Sequence, residues 1–123
     1  MKVQGLDRTL VDKVFAICDY YMQDKVKKHS RHIYDIYKLF QIVPQTEKFK
    51  ALIREVRSVR AMTNICPSAQ SEVQVSEMLT FLIENEIYKE DYEKVTARIL
   101  EEDVSYETAI EAVKKIAASG MFE

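Results

Sequence analysis

The chain is expected to fold as an all-α bundle of about six helices. Three observations lead there. Apolar residues recur at helical spacing along most of its length. An alternating, strand-like run is confined to the opening "MKVQG", which has no second strand to pair with. Two Gly and two Pro leave little material for turns, while Lys, Glu, Ala, Ile and Met, all compatible with helix, are plentiful.

The first helix is expected to begin after Asp7, a good N-cap, with Leu10, Val14, Ile17, Cys18 and Tyr21 on its apolar stripe and an end between residues 22 and 28. Ser30 is the next N-cap, before a stripe of Ile33, Ile36, Tyr37 and Phe40. The segment from Gln41 to Gln45, with Pro44, interrupts the chain. Thr46 caps a third helix with Phe49, Leu52, Ile53, Val56 and Val59 inward. The stretch "TNICPSAQS" (63–71) is the longest loop candidate. A fourth helix follows in "VSEMLTFLIEN", with Val75, Met78, Leu79, Leu82 and Ile83 inward, and a fifth stripe holds Tyr92, Val95, Ile99 and Leu100. Ser105 caps the sixth helix and Gly120 ends it, with Lys114 and Lys115 near its negative pole.

A length of 123 residues suits one domain, 1–123, able to bury a core without disulfides. Its net charge of −2 conceals two unlike halves. Residues 1–60 hold 13 Lys and Arg against 7 Asp and Glu, and residues 61–123 hold 5 against 13. A basic half (1–62) and an acidic helical half (71–123) thus adjoin at the loop, and the basic half is the one suited to phosphates. Cys18 and Cys66 are far apart and match no zinc or thioredoxin spacing. No apolar run approaches the ~18 residues of a membrane span. With no secretory h-region after Met1, a cytoplasmic location is expected.

The stretch "KKHSRHIYDIYKLF" (27–40) sets one acid, Asp35, among cations, histidines and tyrosines. Arg31 and Lys38 stand at −4 and +3 from it on one helix face. Surplus positive charge favours the carboxylate, which suits either a surface salt bridge or an acid beside a phosphate. His29, His32 and Asp35 are spaced by three, but this is a weak metal signature, and no metal site is assigned. If the first two helices form an antiparallel hairpin turning near residue 27, Lys13 and Asp35 are offset by ~9 Å at 1.5 Å per residue. They would then border one pocket of triphosphate length. The plainer reading of Lys13 is a solvated lysine.

"RTLVDKVFAI" (8–17) followed by "SRHIYDIYKL" (30–39) resembles the AbiEii/AbiGii-type nucleotidyltransferases, the toxins of type IV toxin–antitoxin and abortive-infection systems. Thr9, Leu10 and Lys13 match a pattern like "RTxxEK"; Arg31, His32, Tyr34, Asp35 and Ile36 match "(R/K)(D/H)xYD(L/I)". "CPSA" (66–69) and "VSYETAIEAV" (104–113) extend the likeness over nearly the whole chain. The resemblance implies a polymerase-β-like enzyme that uses an NTP and Mg, with tRNA-modifying members. It implies that Lys13 holds the triphosphate, with Arg31 nearby, and that Asp35 supports the catalytic site. His32 stands where many members have an acid.

The family's Gly-Ser motif and paired metal-binding acids are absent, since the chain has no Gly-Ser pair and no D-x-D. The resemblance is therefore to the C-terminal helical portion. A missing N-terminal nucleotidyltransferase domain, or a split partner carrying it, is one expected partner; an antitoxin protein and tRNA are others. No tightly bound cofactor and no transfer activity are expected of this chain alone. A second class of function is a non-catalytic interaction module, with Tyr20, Tyr21, Tyr34 and Tyr37 at a homodimer interface or, equally, in the core. On the third helix Lys50, Arg54 and Arg57, extended by Arg60, form a cationic side that is either a solvated face or a nucleic-acid surface.

Overall fold

The computed structural model describes residues 6–62 and 74–122. The "MKVQG" run, Cys66, Pro67 and the 63–71 loop lie outside the described residues. Among those described there are six helices and no strand. They are α1 (Leu6–Met22), α2 (Arg31–Ile42), α3 (Glu47–Ala61), α4 (Val75–Glu84), α5 (89–99) and α6 (Tyr106–Ser119). The all-α expectation holds. No helix among the described residues is long and apolar enough to cross a membrane.

α1 is the central element. Leu10, Val11, Val14, Phe15, Ile17 and Cys18 are buried along it, and it packs against α2, α3 and α4. α6 covers α2 and α4 with Ala109, Ile110, Ala112, Val113 and Ile116. One buried apolar cluster draws on both halves of the chain. At the carboxyl end Gly120 turns at φ 70°, a left-handed conformation that costs glycine nothing. The turn returns Phe122 to the core, edge-on to Phe15 at 5.5 Å.

Two of the expected caps form. The Thr46 hydroxyl accepts the Phe49 N–H at 3.4 Å, and the Ser105 hydroxyl accepts the Thr108 N–H at 3.2 Å. Ser30 does not cap. It is helical itself (φ −67°, ψ −15°), is fully buried, and shares a 2.7 Å hydrogen bond with the Thr96 hydroxyl. Asp7 lies inside the first turn of α1, where its carboxylate accepts the Arg8 N–H.

Three expected core residues face outward. Val59 is 50% exposed, because at 100° per residue it stands well off the Phe49–Ile53–Val56 stripe, whereas Arg60 continues that stripe. Val95 and Ile99 are 38% and 61% exposed. Their helix is not regular: α5 runs through Lys89–Asp91, a π-helical turn at Tyr92–Thr96, and Ala97–Ile99. The widened turn keeps Tyr88, Tyr92 and Thr96, spaced by four, on one buried face, and so turns Val95 and Ile99 to the surface. Tyr88 donates to the Ile17 carbonyl at 2.6 Å and Tyr92 to the Val104 carbonyl at 2.9 Å, which satisfies both buried phenols.

Candidate functional site at the α1–α2 hairpin

α1 and α2 are antiparallel neighbours. Lys13 faces Asp35 and Tyr20 faces His29, as a hairpin requires. The connection uses two residues with positive φ, Asp24 (58°) and Lys28 (72°). Neither is glycine, so the conformation needs support from its surroundings.

The Lys13 ammonium lies 3.1 Å from Asp35 Oδ2, with the two side chains 27% and 25% exposed. Arg31 Nε is 3.8 Å from the other carboxylate oxygen, and its guanidinium sits over the Tyr34 ring. Two cations thus bracket one acid and leave surplus positive charge. The hairpin sets Lys13 against Asp35, and the expected ~9 Å offset is absent: no gap separates the two side chains.

His32 adjoins this pair. Its Nδ1 is buried with no hydrogen-bond partner among the described residues. Burial, then the Lys13 charge, pushes its pKa down to about 4; Asp35 opposes them and His29 adds to the lowering. His32 is therefore a neutral imidazole near pH 7. Tyr20 stacks on His29 with centroids 3.8 Å apart and planes 11° from parallel, and the His32 ring is nearly parallel to both. The site is a cation–carboxylate pair beside a short ladder of aromatic rings.

The turn leading into α2 is held from a distance in sequence. Asp91, just before the π-helical turn, accepts the Lys28 N–H at 2.8 Å and the Ser30 N–H at 3.2 Å. Burial alone would raise the Asp91 carboxyl, but hydrogen bonds from Ser30 and from the Lys28 amide more than offset it and hold it below the usual carboxylate range. Sequence reading missed this residue, because nothing in "YKEDYE" marks an acid that serves a turn sixty residues earlier. A pattern of four-residue spacing through Tyr88, Tyr92 and Thr96 was the available signal for the irregular helix.

The other candidates separate. Lys50 pairs within α3 with Glu47 at 3.9 Å, and Arg54 is exposed. Arg57 donates to the Phe122 carbonyl at 3.0 Å. Arg60 reaches Asp12 at 3.0 Å and the nearly buried Asp19 at 3.4 Å. Arg57 and Arg60 therefore each meet partners within the chain. Tyr20, Tyr21, Tyr34 and Tyr37 are all half-buried and in ring contact within their own chain. Tyr34 also donates to Glu102, which Lys38 meets from the same side at 3.0 Å. Cys18 is a fully buried core thiol. Among the described residues no three His, Cys, Asp or Glu side chains gather as a metal site would need. Two open surface grooves, one along α4 around Phe81 and one beside Asn85 and Lys94, share no residue with the Lys13–Asp35 pair.

These features define an all-helical protein that presents a buttressed lysine, an arginine and stacked rings on one helical hairpin. The chain belongs to the family of the nucleotidyl transferase AbiEii toxin of type IV toxin–antitoxin systems, whose model matches residues 1–116. Neither a curated protein nor a solved structure matches it.

Proposed function

We propose that this chain supplies the helical, triphosphate-contacting side of a nucleotidyltransferase toxin, with Lys13 as the phosphate ligand. The observation that carries the reading is the Lys13–Asp35 pair, held between two helices and still open to solvent on one side. A lysine ammonium has three N–H donors. Asp35 takes one and fixes the direction of the others. Arg31 adds a second cation next to it. Phosphoryl-type transfer asks chiefly for positioning and charge neutralisation, which is what such a pair provides. Asp35 is a positioning residue in this reading, since Lys13 and Arg31 neutralise it.

The family resemblance implies Mg. The described residues do not suit a divalent ion: Asp35 is already paired with two cations, and no cluster of ligating side chains stands beside it. With no Gly-Ser pair and no D-x-D in its 123 residues, the chain alone is expected to bind NTP without transferring it. An antitoxin protein, a domain carrying those motifs and tRNA are the partners this reading needs.

Calorimetric titration with each of the four NTPs tests it. Weak, salt-sensitive binding is expected, lost in Lys13→Met and reduced in Arg31→Gln. Undiminished binding to Lys13→Met sinks the reading. Robust labelling of total tRNA by the chain with labelled NTP and magnesium would overturn the expected lack of transfer.

A non-catalytic interaction module is the second reading. Exposed Ile42, Val59, Met62 and Ile99 favour it. Sedimentation showing only monomer at high concentration counts against a homodimer.

A further inference from the structure

We infer that Asp91, backed by Thr96, is a positioning residue for the Lys13–Asp35 site, acting by clamping the turn that launches α2. The inference deepens the reading of Lys13 as a phosphate ligand and rests on it for its functional consequence.

α2 carries Arg31, His32 and Asp35 within its first five residues, so its starting point decides where all three stand. A helix start ordinarily has its orphan N–H groups met by a capping side chain. Ser30, in the capping position, does not meet them with its side chain, which shares a hydrogen bond with the Thr96 hydroxyl. The N–H groups of Lys28 and Ser30 both point at one carboxylate, that of Asp91. Lys28 at φ 72° is in a conformation that costs a lysine ~1 kcal/mol or more, and it persists only where the surroundings hold it. Asp91 is that surrounding group. Between the two clamped amides lies His29, whose ring the clamp lays on Tyr20.

The clamp's source is the irregular part of α5. Asp91 precedes the π-helical turn and Thr96 ends it. In a regular helix residues 91 and 96 stand about 140° apart, on different sides. A π turn of i→i+5 hydrogen bonds instead brings residues five apart onto one face. It lets the carboxylate and the hydroxyl reach neighbouring atoms of the same short segment, Lys28 to Ser30. The π-helical turn is thus the shape that lets one helix grip the beginning of another.

The experiment compares the native chain with Asp91→Ala, Asp91→Asn and Thr96→Val, using Glu90→Ala, a neighbouring exposed acid, as control. Three quantities are read: amide hydrogen exchange by residue, the His32 titration by NMR, and NTP affinity. In Asp91→Ala the Lys28 and Ser30 amides should exchange at least tenfold faster, while amides of α1 and α6 stay as in the native chain. The His32 pKa should rise from about 4 toward 6.5 as its ring is released to solvent. NTP affinity should fall several-fold. Asp91→Asn, which keeps the shape and an acceptor oxygen, should recover part of each effect, and Glu90→Ala should show none. Unchanged Lys28 and Ser30 exchange in Asp91→Ala overturns the clamp. So does acceleration spread evenly over α1 and α6, which would make Asp91 a general stabiliser. If Asp91→Ala does not fold, the same comparison of amide exchange is made with Asp91→Asn and Thr96→Val. Should the native chain bind no NTP, the phosphate reading fails, while exchange and the His32 titration still decide whether Asp91 sets the start of α2.

Discussion

Replacing Lys13 removes one charge from between two neighbours that respond in opposite ways. Lys13 lowers the His32 pKa and Asp35 raises it. Lys13→Met should therefore move His32 upward from about 4, and Asp35→Asn should move it further down. NMR titration of the ring checks both signs; shifts of the same sign in the two variants would contradict the geometry. The neighbourhood of the two residues was legible in the sequence, because a hairpin turning near residue 27 sets Lys13 and Asp35 on facing helices. Their distance was not. A turn centred on residue 27 does not hold: His29 already stands against Tyr20, so Asp35, six residues beyond His29, reaches the level of Lys13, seven residues before Tyr20.

At the scale of the element, helix boundaries were readable wherever the capping chemistry is local. Thr46, Ser105 and Gly120 act as their residue types suggest. Ser30 and α5 were misread for one shared reason: their geometry is set by each other, across 66 positions of sequence. A consequence follows for substitution. Thr96→Val leaves the fully buried Ser30 hydroxyl without its partner and should cost about 1–3 kcal/mol. Combining it with Ser30→Ala removes both hydroxyls and should restore part of that loss, short of the Ser30 contact to Asp91. Ser105→Ala, by contrast, is a simple cap deletion worth about 1 kcal/mol. Urea denaturation of these variants separates the cases. A double variant no more stable than Thr96→Val would show that the hydroxyl pair is not the quantity at stake.

Across the whole molecule, the basic and acidic halves share one core, so their charge contrast is a matter of surface alone. Two groups make the fold sensitive to acid, His32 in the mild range and Asp91 only below it. His32 has a pKa of about 4 when folded against 6.5 as its ordinary value, so the unfolded chain binds more protons between these limits. Its contribution is complete above pH 6.5, shrinks as pH falls, and is gone below about 4. The Asp91 carboxyl is depressed; its contribution is complete above its ordinary value of 3.8 and is lost as pH falls through the folded one. The midpoint of thermal unfolding should thus fall from pH 6.5 to pH 4, and His32→Gln should flatten that dependence. Equal slopes in the two proteins would mean that His32 is not held neutral.

The two buried phenols of Tyr88 and Tyr92 have an optical consequence. The chain has seven tyrosines and no tryptophan, so its near-ultraviolet spectrum is a tyrosine spectrum. Burial pushes the Tyr92 and Tyr106 phenols up to about 12 and Tyr88 higher still. In rising alkali, phenolate absorbance from the buried set should climb together with the loss of helical circular dichroism, because these rings ionise only by leaving the core. A single smooth step, with helicity intact, would place them at the surface. The spectrum of α5 thus serves as a built-in gauge of whether the helix that grips the site hairpin is still in place.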